Sequence, residues 1–172
     1  MAERRRDAEF TEYVTARTPW LRKVAYLLSG DWYDADDLVQ TTITKLYINW
    51  HRAAGVENVD GYVRTILVNT FLAEQRSLWG SRVVLGTAND EGPALNADLD
   101  STLDLRAALA ALPPRQRATV VLRYYCDLSV EQAAQALDCS PGNVKSQTSR
   151  GIDALRRVLE PRPVDAPKGV RS

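Results

Sequence analysis

The chain is poor in the residues that build small catalytic and metal centres. It has two cysteines, Cys126 and Cys139, and one histidine, His51, among 172 residues. A structural zinc site takes four Cys/His ligands, so three scattered ones exclude it, and no metal is expected. Two cysteines do not make a disulfide scaffold in a chain of this size. They flank a predicted helix and are expected as small apolar packing residues. His51 follows Trp50 near a helix end and is expected as a helix-terminal or surface residue, not as a general base. The phosphate-cradling G-x-x-x-x-G-K-[ST], the dinucleotide G-x-G-x-x-G and the nucleophile-bearing G-x-S-x-G are all missing. Asp36 and Asp37 are neighbours on a predicted helix, so they diverge and do not converge on one substrate. These absences argue against an enzyme, a cofactor and a small-molecule substrate.

Long apolar runs are missing too. The longest is Ala107 to Leu112, against roughly 20 residues for a membrane helix. Arg4-Arg5-Arg6 is followed by Asp7 and Glu9 with no apolar stretch behind it, unlike a signal peptide. No membrane contact and a cytoplasmic location are therefore expected. Net charge is the last absence: 22 Lys+Arg balance 22 Asp+Glu. Taken whole, that zero argues against nucleic acid as a partner.

The zero is unevenly composed. Residues 1–83 carry 11 basic and 11 acidic side chains, residues 84–104 carry five acidic and no basic, and residues 105–172 carry 11 basic and six acidic. The middle stretch also holds Gly86, Gly92 and Pro93, and reads as an acidic flexible linker. The chain therefore divides into a helical domain over 8–83, a linker over 84–102, a basic helical domain over 103–160, and a disordered tail over 161–172 rich in proline. The fold class is all-α: two small helical domains joined by the linker.

In the first domain Phe10, Tyr13 and Val14, then Leu21, Val24, Ala25 and Leu28, follow helical spacing. Thr18-Pro19 is expected to interrupt them as an N-cap and N1 pair, and Ser29-Gly30 to stop the segment. Asp34 is expected to cap a second helix with the stripe Leu38, Val39, Thr42, Ile43, Leu46, Tyr47 and Trp50. After a loop over 53–59, a third helix runs from about Asp60 to Trp79. The second domain predicts helices over 103–112, 115–125, 130–137 and 141–159. Ser129 and Gln132 form a capping box at the third of these. Ser140 caps the fourth, with Pro141 at its first position.

A short helix, the turn Asp138-Cys139-Ser140 and a long helix describe a helix-turn-helix. Ala133 and Ala134 allow close helix crossing, and Leu137, Val144 and Ile152 supply the seam. The second helix of such a motif enters the major groove by its N-terminal half. Here that half offers Gly142, Asn143, Lys145, Ser146, Gln147, Ser149 and Arg150. Lys and Arg suit phosphates or guanine, Asn and Gln suit adenine, and Ser suits either. Arg115, Arg117 and Arg123 on the preceding helix are expected to hold phosphates and fix register. The plainer reading is a solvated polar helix in a four-helix bundle; the cap signals and the local positive charge favour DNA.

These segments resemble the extracytoplasmic-function (group 4) RNA polymerase sigma factors, in their small SigE-like actinobacterial form. The resemblance covers about residues 8–160. Asp34-Ala-Asp-Asp-Leu-Val-Gln40 followed by Leu46-Tyr47 resembles the family's region 2.2. Leu112-Pro-Pro-Arg-Gln-Arg117, Val121-Leu-Arg-Tyr-Tyr125 and Gly142 to Gly151 resemble region 4. The resemblance implies that Asp36, Asp37, Leu38, Val39, Gln40 and Thr41 dock core RNA polymerase, although one of Leu38 and Val39 should be core because adjacent helical residues point apart. It implies that 62–82 opens the promoter −10 element, with Arg64, Asn69, Thr70 and Arg76 on the DNA. It further implies that the helix-turn-helix reads −35 through Arg115, Arg117, Asn143, Lys145, Ser146, Gln147, Ser149 and Arg150. The sequence departs from the family pattern at Thr65, where an arginine is usual, at Gly80, expected to break the third helix early, and at Gln147-Thr148. Capturing unstacked bases costs a few kcal/mol each, more than a small domain supplies alone. The implied partners are thus core polymerase and promoter DNA, with an anti-sigma factor as a further candidate. The rival readings are a stand-alone helix-turn-helix regulator on an operator and a helical adaptor. The Asp34–Gln40 helix speaks against the first, the basic recognition helix against the second.

Overall fold

The computed structural model describes the backbone of residues 1–85 and 101–160 and the side chains of 1–78 and 105–160. The acidic linker and the tail predicted from sequence lie almost wholly outside these residues. All regular structure among the described residues is helical. The order is α1 (Ala2–Ser29), α2 (Trp32–Ile48), a short α3 (Trp50–Ala53), α4 (Val59–Leu85), α5 (Ser101–Ala110), α6 (Pro114–Val120) running into a π-helical turn (Val121–Tyr125), α7 (Val130–Leu137) and α8 (Pro141–Leu159).

Several ends differ from expectation, each for a local reason. Helix α1 continues through Pro19. The Thr18 hydroxyl donates to Val14 O at 2.7 Å instead of capping a new helix. Buried Leu21, Val24, Ala25 and Leu28 lie on one side of Pro19 and packed Phe10, Tyr13 and Val14 on the other, and this packing outweighs the hydrogen bond that proline removes. Gly30 ends α1 in the left-handed region at φ 90°, its N–H on Tyr26 O, a glycine stop. The cap of α2 is Asp31, three residues earlier than predicted, whose carboxylate accepts from Asp34 N at 2.8 Å. Helix α4 starts where Asn58 Oδ1 accepts from Gly61 N. It runs past Gly80 to Leu85, so that glycine does not break it.

Helix α2 packs on both α1 and α4. Its buried arc is therefore wide enough to take Leu38 and Val39 together, at 1% and 3% exposure. The expectation that one of them stays outside is corrected, and neither is a docking side chain. In the second half, α8 lies across α6 and α7. A Cβ on Gly151 would stand 2.6 Å from Val120 Cγ2, so the α6–α8 crossing requires glycine there.

The two halves are not separate bodies. One apolar core joins Leu21, Leu28, Leu67 and Phe71 of the first half to Val121, Leu122, Ala133 and Val144 of the second. Helix α4 packs against α6 and α7, and α1 against α5, α6 and the π turn. At the centre sits Arg117, 8% exposed. It donates to Leu28 O at 2.6 Å, Leu109 O at 2.8 Å, Leu112 O at 3.0 Å and Ala110 O at 3.1 Å, and its guanidinium carbon lies 5.7 Å from the Phe71 ring centroid. Among the described residues no carboxylate forms a salt bridge with it. Its charge is met by the negative C-terminal ends of α1 and α5. Burial pulls its pKa down from the usual value, though an arginine stays protonated.

Replacing Arg117 with Met keeps much of the volume but leaves buried carbonyls without a donor. Each such orphan costs about 1–3 kcal/mol, part of it recovered by relaxation. A loss of about 3 kcal/mol in urea unfolding is the expected result; an unchanged midpoint would contradict the role given to this side chain.

Candidate nucleic-acid and polymerase-binding surfaces

The helix-turn-helix is assembled by caps already legible in the chain. Ser129 Oγ accepts from Gln132 N at 3.1 Å while Ser129 N donates to Gln132 Oε1 at 2.9 Å, the reciprocal capping box. Asp138 ends α7 in the left-handed region at φ 51°. Such a φ is uncommon outside glycine but is tolerated by Asp and Asn. Cys139 N reaches back to Ala134 O, and Ser140 Oγ accepts from Asn143 N at 3.1 Å. Ala133, Ala134, Leu137 and Val144 are buried in the crossing, as predicted. Ile152 is half-buried.

The outer face of α8 presents Gly142, Asn143, Lys145, Ser146, Ser149 and Arg150 to solvent. Gln147 is half-buried, and Thr148 donates its hydroxyl to Val144 O. Beside this face a cavity of about 280 Å³ opens between α8 and the π turn, with Arg123, Tyr124, Lys145, Ser149 and Arg156 on its walls.

The arginines expected to brace this face on DNA are engaged elsewhere. Arg115 donates to Leu137 O at 3.0 Å, closing the C-terminal end of α7, and Arg123 donates to Leu128 O at 2.5 Å. Arg117 is buried as described. Helix C-terminal carbonyls and loop carbonyls need donors, and a guanidinium with five N–H groups is the side chain that can supply several at once. Sequence reasoning counts these cations as surface charge because nothing in the residue itself separates an arginine for phosphate from one for a carbonyl. Arg106, which no sequence motif marks, is a fourth of this kind. It donates to Gly30 O at 2.5 Å and stands over Tyr26 at 6.0 Å.

On α4 the residues assigned to −10 divide. Asn69 and Arg76 are exposed. Thr70 is buried and accepts from Lys45 Nζ at 3.0 Å, so it is a packing residue and not a DNA contact. Arg64 is half-buried, its guanidinium carbon 5.4 Å from the Trp20 ring centroid, and its charge lies near Cys126 of the second half. The Cys126 thiol is pushed up in pKa, first by burial, which fits its expected packing role. His51 is exposed.

On α2, Asp36, Asp37 and Gln40 are exposed and Thr41 is half-buried. Asp36 accepts from Arg22 Nε at 2.7 Å. Asp34 has its carboxyl pKa raised, first by burial and then by the charge of Asp31. Glu74 on α4 is raised too, by burial and by Asp37 and Asp34 against the opposing pull of Lys45. This acidic face extends to Trp32 and to Tyr33, the latter 79% exposed. Among the described residues no group of three or more His, Cys, Asp or Glu is placed to hold a metal ion. No described helix is long and apolar enough to cross a membrane.

A helix-turn-helix with an exposed polar second helix, joined to a helical half with an acidic, aromatic-edged face, is the build of a DNA-binding protein with a protein partner. The comparisons narrow the class. Residues 13–80 match the Sigma-70 region 2 model and residues 102–155 the Sigma-70 region 4 model. The chain is 36% identical to the RNA polymerase sigma-E factor of Streptomyces avermitilis, over 92% of this chain and 89% of that one. It is 34% identical to the RNA polymerase sigma-E factor of Streptomyces coelicolor, over 92% and 90%. Among solved structures it resembles the sigma factor RpoE in complex with the anti-sigma factor NepR from Bartonella quintana. That likeness has a TM-score of 0.70 at 29% identity and covers 88% of this chain and 96% of that one. The chain belongs to the extracytoplasmic-function group of the sigma-70 family of RNA polymerase sigma factors. It directs core polymerase to promoters and serves transcription initiation.

A phosphate-holding arginine and a carbonyl-holding one respond differently to salt. Losing one phosphate contact lowers the slope of log affinity against log salt by about 1. Arg115→Ala is expected to leave that slope unchanged in promoter binding by holoenzyme while lowering thermal stability. A slope reduced by a full unit would return Arg115 to the DNA.

Proposed function

We propose that the two ends of the chain divide promoter recognition as the order of the domains suggests, with region 2 over 8–83 and region 4 over 103–160. Region 4 reads the −35 element with Asn143, Lys145, Ser146, Ser149 and Arg150, and with Gln147 at the edge. The observation that carries this reading is the exposed polar face of α8, which follows α7 after a three-residue turn with both helix starts capped. Region 2 reads −10 with Asn69 and Arg76, whose side chains are exposed on α4. Arg64, half-buried over Trp20, joins them. Core polymerase docks on Asp36, Asp37, Gln40 and Thr41, a surface of carboxylates and amide suited to a basic partner helix. The chain itself does no chemistry: RNA synthesis belongs to polymerase, and the protein works in the cytoplasm. An anti-sigma factor is a further partner, a reading supported by the complex in which the Bartonella relative was captured.

Transcription from fragments carrying paired −35 and −10 elements, with core polymerase and this protein, tests the reading. Lys145→Ala and Arg150→Ala are each expected to weaken promoter binding by roughly 1–3 kcal/mol. A double variant that initiates normally would remove α8 from the reading. Asp37→Arg is expected to weaken association with core polymerase and leave the circular dichroism spectrum unaltered; full-strength association would take the docking surface off α2.

A further inference from the structure

The cavity beside α8 holds about 280 Å³ and gathers cations from two segments. Lys145, Ser149, Ile152 and Arg156 line it from α8. They recur at three- and four-residue spacing and so form one stripe of that helix. The π turn adds Arg123 and Tyr124, and π turns are frequent at functional sites. Against these three cations the cavity sets one carboxylate, Asp153. Among the described residues none of the four forms a salt bridge. Arg123 is fixed by its bond to Leu128 O, yet its Nε is buried with no acceptor. A buried N–H without a partner is rare in a folded protein, and a concave site with excess positive charge selects anions.

Dimensions narrow the anion. Lys145 and Arg156 are separated by about 16 Å along α8, at ~1.5 Å per residue. A single phosphate group meets one end of the stripe, whereas a chain of phosphates meets both. Tyr124, 61% exposed, offers a ring face at the rim, and a base stacks on such a face. The volume lies at the lower edge of the ~300–1,000 Å³ usual for small-molecule sites, which suits a nucleotide better than a larger cofactor. DNA carries phosphates as well, but a duplex presents them on a convex surface that meets the rim. A small free ligand enters the concavity.

We propose that this cavity binds a free ligand bearing a chain of phosphates, a nucleoside triphosphate or an inorganic polyphosphate, and that its occupation keeps region 4 off the −35 element. Arg123, Lys145 and Arg156 hold the phosphates, Ser149 donates its hydroxyl to them, and Tyr124 takes the base where there is one. Lys145 and Ser149 belong both to the cavity and to the exposed face of α8, so one partner takes them from the other. The exclusion of DNA rests on the −35 role proposed above. By linkage, promoter and polyphosphate then lower each other's affinity by the same factor.

Calorimetric titration of the full chain with inorganic tripolyphosphate and with GTP tests the site. Saturable binding of both is expected. Arg156→Met is expected to weaken both at least ~10-fold, the worth of a charge-assisted contact. Tyr124→Ala is expected to weaken GTP and leave tripolyphosphate unchanged, since only GTP has a ring to stack. Arg157→Met removes the same charge from α8 outside the cavity and is expected to change neither. No saturable binding to wild type, or equal losses in Arg156→Met and Arg157→Met, overturns the site. Should circular dichroism show Arg156→Met unfolded, Lys145→Met is expected to show the same loss, and its absence overturns the site too. Promoter binding by holoenzyme at constant ionic strength separates the free ligand from DNA. At ten times the wild-type Kd, tripolyphosphate is expected to weaken promoter binding ~10-fold for wild type and ~2-fold for Arg156→Met, by mass action. Equal weakening of the two overturns the exclusion. If wild type binds no tripolyphosphate while Arg156→Met lowers the salt slope of promoter binding by about 1, the cavity serves the DNA backbone alone and the free-ligand site is overturned. A wild type that binds tripolyphosphate but starts transcription at no promoter tested overturns the promoter reading and upholds the cavity.

Discussion

A guanidinium with no carboxylate, seated where two helices end, holds the two halves of this chain in register. Arg117 receives no counter-ion among the described residues, yet its charge is neither stranded nor wasted. The C-termini of α1 and α5 each present unpaired carbonyls and the negative end of a helix dipole. Their convergence makes a site that a planar, five-donor cation fills and that water would otherwise have to fill inside the core. The position of region 4 on region 2 and the continuous core running from Leu21 to Val144 depend on that convergence.

Arginine used in this way changes the charge picture. The second half carries five more basic than acidic residues over 105–172, which by counterion release would favour DNA. Arg106, Arg115, Arg117 and Arg123 are committed to backbone carbonyls. Among the described residues of that half, the charge left to face DNA lies on α8, at Lys145, Arg150, Arg156 and Arg157. The described half thus offers a small reading surface on one helix face. That suits a subunit whose DNA contacts are meant to count only when polymerase sets both ends on one promoter.

Much of the candidate site is legible in local sequence. The capping box at Ser129 and Gln132, the Ser140 cap, the small pair Ala133-Ala134 and the polar run from Asn143 to Arg150 are short-range signals, and the fold keeps each of them in place. Asp36, Asp37 and Gln40 are outward on α2 as expected. The departures share a cause. Local propensity makes helix ends of Pro19, Gly80 and Asp34, but packing on both sides of Pro19 and a better cap at Asp31 prevail. A helix with one buried side would divide Leu38 and Val39 between core and surface, whereas α2 is buried on two. Thr70 and Arg64 share a helix with the exposed Asn69 and Arg76, yet the core takes the first and the seam with region 4 the second.

The sequence by itself determined what depends on near neighbours: helices by periodicity, their capped starts, the helix-turn-helix, the acidic face of α2 and the family these motifs belong to. These are settled within a few turns of chain, where spacing and side-chain chemistry are enough. Only the tertiary structure decided which cations are free, which carbonyls need them, and that region 4 rests on the end of α1. Those outcomes depend on carbonyls contributed by residues 89 positions away from Arg117, and no local pattern records where two helices 76 residues apart, joined through Arg106 and Gly30, will end together.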